Sequence, residues 1–138
     1  MVATADIDGV PSCCRAVGLA GAADGDSLTV YLPVWTAAQT IANLAATHRI
    51  AVVSSFPLDH GTIQLKGRSR AVRVARDDER PLVDGWLGRF ADVVSSLGLP
   101  RAVTMSLVHW PAFAVDVEVD AIFDQTPGPR AGSVVMQR

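Results

Sequence analysis

Apolar and polar positions alternate with a period of two along most of this chain and switch to a period near 3.6 in two places. Val2 to Ala5, Pro11 to Leu19 and Ser27 to Leu32 are short β-prone runs separated by Asp6-Ile7-Asp8-Gly9 and Asp24-Gly25-Asp26, so the opening third predicts an antiparallel meander. Pro11 has no amide proton for a ladder and belongs at the start or on the edge of its strand. In the stretch that follows, Thr36 and Gln39 have capping-box spacing, and Ile41, Leu44, Ala45 and His48 recur at helical spacing, which predicts a helix from about Ala37 to about His48. His48 then reads as a partly buried histidine at a helix end, where a donor complements exposed carbonyls.

Ile50 to Phe56 is an apolar run of strand length, and Pro57 to Gly61 turns the chain. Beyond the turn, Ile63 and Leu65 face one way while Thr62, Gln64, Lys66 and Arg68 face the other. Past Gly67 the apolar phase shifts to Val72 and Val74, which predicts a bulge there. A second helix is expected from about Glu79 to Leu97, with Asp77 and Asp78 as caps, Pro81 in the first turn and Leu82, Trp86, Phe90, Val93 and Leu97 as its apolar stripe. Gly98 and Pro100 end it. Ala102 to Trp110 and Ala112 to Phe123 read as two further strands broken at Pro111, and DQTPGPRAG reads as a rigid turn. Three strands, a helix, two strands, a helix and two strands, joined by short turns, favour a mainly β antiparallel barrel over a doubly wound sheet. With no repeat and no linker, residues 1–138 are expected to form one domain.

Composition adds a partner to this picture. Apolar residues make up 49% of the chain and charged ones 19%, more apolar surface than a small barrel hides alone, so part of it is expected to cover a subunit interface. A formal net charge of -2 and a pI near 5.8 argue against nucleic acid as a partner, which demands a basic domain or stripe. No segment approaches the roughly 20 apolar residues of a membrane span, and no basic region followed by an apolar core opens the chain, so a cytoplasmic location is the expectation. The adjacent Cys13 and Cys14 offer neither a stapling disulfide nor metal-ligand spacing, and the three histidines at 48, 60 and 109 show no ligand spacing either. His109-Trp110-Pro111 reads as a strand end packing its aromatic.

One stretch concentrates charge. HGTIQLKGRSRAVRVAR, residues 60 to 76, carries Lys66, Arg68, Arg70, Arg73 and Arg76, and Lys66 is the only lysine of the chain. Arg70, Arg73 and Arg76 are expected to sit on a solvated strand face and pair with Asp77, Asp78 or Glu79, whereas Thr62, Gln64 and Lys66, before the bulge, are candidates for a ligand groove.

The segments ATADIDGVPSCCRAVGL, DSLTVYLP, TAAQTIANLAATHRIAVV, TIQLKG and FDQTPGPRAG, in this order and spacing, resemble the pyridoxamine 5'-phosphate oxidase-like family of flavin-binding split barrels, over nearly the whole chain from Ala3 to Gly132. The resemblance implies a six-stranded split β-barrel, a homodimer, and flavin mononucleotide (FMN) in the groove between the subunits. It implies that Arg15, Ala16 and Val17 line the flavin, that Pro33 and Val34 pass beside it, and that Thr62 and Gln64 approach it. Arg130 stands where the partner subunit contributes a late arginine. Gln39 and Thr40 occupy the positions of an Arg-Lys pair that typically clamps the phosphate, and the family's leading helix is replaced by a chain that starts on its first strand. With that pair of cations missing, the expected phosphate site is the capped helix start, with its free N–H groups and the neutral donors Thr36, Gln39 and Thr40.

Two function classes follow: an FMN-dependent oxidoreductase acting on a small molecule, in which the cofactor carries the chemistry, or a protein that binds a flavin without turnover. A deazaflavin in place of FMN, or no retained cofactor, are the alternatives for the ligand. True pyridoxamine 5'-phosphate oxidase activity is disfavoured, because a phosphorylated substrate needs a cationic pocket that no set of residues supplies.

Overall fold

In the computed structural model, which describes residues 1–22 and 25–138, every pair of neighbouring strands is antiparallel. The strands are β1 (Val2–Ala5), β2 (Pro11–Cys14), β3 (Gly18–Gly21), β4 (Ser27–Pro33), β5 (Arg49–Ser55), β6 (Thr62–Val74), β7 (Ala112–Asp124) and β8 (Ser133–Gln137). They are hydrogen-bonded in the order β2-β1-β5-β6-β7-β4-β3, with β8 added to β7. The two ends of that path, β2 and β3, are consecutive in the chain and separated only by Arg15, Ala16 and Val17. The stretch from Pro11 to Gly21 is thus one bent strand whose first half pairs with β1 and whose second half pairs with β4. Counted this way the path has the six strands expected of the split barrel, its corner made by a strand that changes partner, and β8 adds a seventh beside β7. The Pro11–Leu19 run is correspondingly two strands rather than one. The turn expected at Asp24-Gly25-Asp26 lies partly outside the described residues.

The longest ladder joins β6 to β7 and slips between Lys66 and Gly67, as the phase shift predicts. Gly67 is required there, because a Cβ would run into the carbonyl of Glu118 across the bulge.

Helix α1 (Ala38–Thr47) packs against β1, β2 and β5 and carries Leu44 into a barrel core with Val2, Val30, Leu32, Val52, Val115 and Val117. Its capping box does not form. Thr36 precedes the cap position, which Ala37 occupies, and the Gln39 amide instead donates to Asn43 Oδ1 at 2.9 Å. The buried stripe of the helix is Thr40, Asn43 and Leu44, whereas Ala45 is exposed. His48 is exposed too, not partly buried: it ends the helix in the left-handed region at φ 57°, with its N–H on the carbonyl of Leu44.

Helix α2 (Arg80–Ser95) follows a 3-10 turn at Asp77–Glu79 and packs on β3. Neither Asp77 nor Asp78 caps it. The carboxylate of Glu79 reaches back to the N–H of Arg76 at 2.7 Å and also takes both terminal nitrogens of Arg73, at 2.6 and 2.7 Å, and the hydroxyl of Tyr31 at 2.9 Å. The face of α2 that enters the second core, beside Val17, Tyr31, Ala75, Ala112 and Ala114, is led by Val83, with Leu87 and Ala91 buried below it. The stripe expected from the sequence lies one residue, or 100°, away: Leu82 and Leu97 are exposed and Trp86, Phe90 and Val93 are half-buried.

Two elements depart from expectation. Residues 101–105 form a short helix, α3 (Arg101–Met105), instead of a strand. Five residues are too few for alternation to be told from one helical turn, and packing on α2, with Arg101 Nε 2.7 Å from Asp92, decides it. The glycine-rich turn after β7 leads into β8, which pairs back on β7 from Ala121↔Gln137 to Asp124↔Ser133.

Candidate functional site

The bend between β2 and β3 borders a concavity. Where the strand changes partner, the N–H of Val17 is already on the carbonyl of Tyr31 at 2.8 Å, Ala16 and Val17 are buried, and Arg15 is left exposed. The facing wall comes from α2, where Trp86 and Phe90 stack with ring centroids 5.9 Å apart and planes inclined by 19°, continued by Val93 and Leu107. The end of β5, from Val52 to Ser55, and the turn residues Phe56 and Pro57 close the side. The cavity measures about 560 Å³, within the range of small-molecule sites.

Its electrostatics are one-sided. Arg15 and Arg89 line it, together with the α-amino group of Met1 at the rim, which donates to the carbonyl of Val53 at 2.8 Å. Among the described residues no aspartate, glutamate or histidine lines it, and neither arginine has an acidic partner. Both arginines are exposed and unanswered, which leaves their guanidinium groups available to an anion. No group of histidine, cysteine and carboxylate side chains suited to a metal ion exists among the described residues, and no helix among them is long and apolar enough to cross a membrane.

The sequence candidates fall into three places. Arg15, Ala16 and Val17 line the groove. Thr62 and Gln64 lie one strand away on β6, opposite Ser55 and Val53 of the groove wall. The Thr62 hydroxyl is 2.9 Å from Ser55 Oγ and 2.8 Å from the carbonyl of His60, and Gln64 accepts from the Gln125 amide at 3.3 Å. Lys66 lies farther along the same face, with its ammonium 4.7 Å from the centroid of Phe123.

The remaining candidates stand apart from the groove. Pro33 is buried in the β4–β7 ladder and Val34 donates to the carbonyl of Pro111. Thr36 and Gln39 are exposed at the start of α1. Thr40 is turned into the core, 1% exposed, with its hydroxyl on Cys14 Sγ at 3.4 Å, so it is not a free donor for a ligand. Arg130 is exposed on the turn after β7, where its charge helps hold the carboxyl of Asp124 below its ordinary range, after the hydrogen bonds from Thr126.

The groove also contains residues that the sequence does not single out as a site. Trp86, Phe90 and Val93 are legible as apolar but read as core, and Arg89 has no sequence signal at all, since only folding carries it to the same cavity as Arg15.

The sequence matches no family model and no curated protein. Solved structures do match. HupZ of Group A Streptococcus superposes with a TM-score of 0.56 at 18% identity, covering 96% of this chain and 88% of that one. A candidate pyridoxamine 5'-phosphate oxidase from Lactobacillus delbrueckii gives 0.53 at 16%, covering 88% and 80%. An FMN-binding protein from Syntrophomonas wolfei gives 0.51 at 15%, covering 88% and 73%. At these identities the likeness is one of fold, and the fold is the split barrel of pyridoxamine 5'-phosphate oxidase-like proteins.

Proposed function

We propose that residues 1–138 form one flavin-binding split barrel that holds FMN in the groove beside Arg15, Ala16 and Val17 and serves as an oxidoreductase toward a small molecule. The observation that carries this reading is the acid-free cavity of about 560 Å³ with an aromatic wall and two unpaired arginines. Its parts fit the parts of the cofactor. Trp86 and Phe90 offer a flat apolar surface to an aromatic ring system. Arg15 and Arg89 offer two cations to a phosphate, the number lost where Gln39 and Thr40 replace an Arg-Lys pair. With Thr40 turned into the core, these arginines are better placed than the start of α1 to hold the phosphate.

Bound flavin would supply two-electron exchange at its ring. The chain's own residues bind and orient: the apolar walls exclude water, and Ala16, being small, lets the ring approach the strand. No side-chain acid or base lines the groove, so proton transfer by the protein forms no part of this reading. A homodimer belongs to it, because Trp35, Phe56, Val72 and Val74 leave much apolar surface exposed on a single copy.

The test is the visible absorbance of the purified protein, followed by fluorescence titration with FMN and riboflavin and by steady-state oxidation of a reduced nicotinamide. Submicromolar FMN binding with turnover supports the enzyme. Binding without turnover for any electron donor supports a carrier, and no binding of either flavin removes the reading.

A further inference from the structure

A second concavity lies on the outer face of β1, β5 and β6, and its residues have no role in the groove. Its floor is made of small side chains, Ala3, Ala5 and Ala51, and its rim carries Arg49, Lys66 and Arg68 against a single carboxylate, Asp120. Arg49 and Arg68 are direct cross-strand partners in the β5–β6 ladder, with Ala51 opposite Lys66 next along it. Like charges placed opposite each other on neighbouring strands destabilise a sheet unless something lies between them. The protein answers them weakly. Arg68 Nε is 3.7 Å from Asp120, and both of those side chains are more than half exposed, while Arg49 has no acidic partner among the described residues. Arg70, the next basic side chain along this face of β6, is paired with Glu118.

We infer that this depression is a second anion site, separate from the groove, that takes the phosphoryl end of a small organic phosphate. Two guanidinium forks on facing strands and one ammonium beside them match the several oxygens of a phosphoryl group better than the two of a carboxylate. The alanine floor lets the anion sit between the forks and relieve their repulsion. The depression of about 450 Å³ has the size of a small-ligand site. Three cations in a chain of net charge -2, flanked by Asp120 and Glu118, are too few and too local for a nucleic-acid backbone. The site is independent of whether the groove binds a flavin.

Isothermal titration with inorganic pyrophosphate tests it directly. In wild type a saturable binding event is expected that Arg49→Ala and Arg68→Ala each weaken about tenfold or more and Arg49→Lys partly keeps, and this event persists in the Arg15→Ala/Arg89→Ala double variant, which removes any contribution of the groove. Malonate, a dicarboxylate with about one charge fewer at neutral pH, is expected to bind at least about tenfold more weakly. The thermal midpoints of Arg49→Ala and Arg68→Ala in anion-free buffer are expected to equal or exceed that of wild type, since each removes a repulsion. Pyrophosphate binding that disappears with Arg15 and Arg89 and survives loss of Arg49 would place the anion in the groove and overturn the inference. Equal binding of malonate would overturn its phosphoryl character, and no saturable binding would overturn it altogether.

Discussion

Arg73 and Arg89 carry the same side chain into opposite surroundings. Arg73 meets Glu79 through both terminal nitrogens, and the same carboxylate also receives the Tyr31 hydroxyl and the backbone N–H of Arg76, so four donors converge on one half-buried group. The Arg73 guanidinium and the other donors hold the Glu79 carboxyl down to about 2, while burial and the carboxylate push the Tyr31 hydroxyl up to about 12. Arg89 lines an apolar cavity with Arg15 and finds no acid. A cation answered within the fold fastens one element to another, here the start of α2 to β4 and β6. A cation left unanswered beside an apolar wall is available to a ligand.

The largest expected effect tests the fastened side. Glu79→Ala should cost about 3 kcal/mol in urea denaturation, because it strands Arg73 and Tyr31 in a partly buried site. Arg89→Ala should stay within about 0.5 kcal/mol of wild type. Equal losses in the two variants would erase the contrast. The pH dependence sharpens it: the folded-state carboxyl lies at about 2 against 4.5 for the free group, so its contribution is fully present above 4.5 and is lost as pH falls toward 2. The stability gap between wild type and Glu79→Gln should therefore narrow over that window, and a constant gap would deny the linkage.

On the unanswered side, Arg15→Ala/Arg89→Ala should weaken FMN about a hundredfold, roughly 1.4 kcal/mol per cation, and leave riboflavin nearly unchanged. A parallel loss for both ligands would show that the arginines shape the groove and do not hold a phosphate. Trp86→Ala should weaken both flavins alike, by about tenfold, since a stacked ring contact contributes about 1 kcal/mol and does not sense the phosphate. The smallest effect is expected from Gln39→Arg. With the phosphate on Arg15 and Arg89 its FMN affinity should match wild type, and a clear gain would return the phosphate to the start of α1.

What was legible in the sequence follows from forces that act over a few residues. Alternation, turn residues and the phase shift at Gly67 are local steric facts, and they led to most of the strands, the bulge and an antiparallel barrel, while the split barrel came from the resemblance. The resemblance pointed to Arg15, Ala16 and Val17 as flavin-lining residues, and the structure shows them bordering a cavity. Where two local readings had similar energies, the sequence alone could not choose. Residues 101–105 alternate well enough for a strand and became a helix against α2. The apolar stripe of α2 had a neighbour 100° away of nearly equal hydrophobicity. Val83 took the space beside Val17 and Tyr31 and Leu87 and Ala91 were buried with it, while the bulkier Trp86 and Phe90 were left to wall a cavity. The capping box failed by one residue of register.

Charge was the least legible of all. Arg73 and Arg76 do find the expected acidic neighbours, Glu79 and Asp78, but Arg70 goes to Glu118 instead, and Arg68 faces Arg49 across the β5–β6 ladder. The sequence by itself determined most of the strands, their turns and the number of cations. Only the tertiary structure decided which cations are neutralised, because Coulomb energy depends on separations of a few ångströms between groups far apart in the chain, and those separations exist only once the chain has folded.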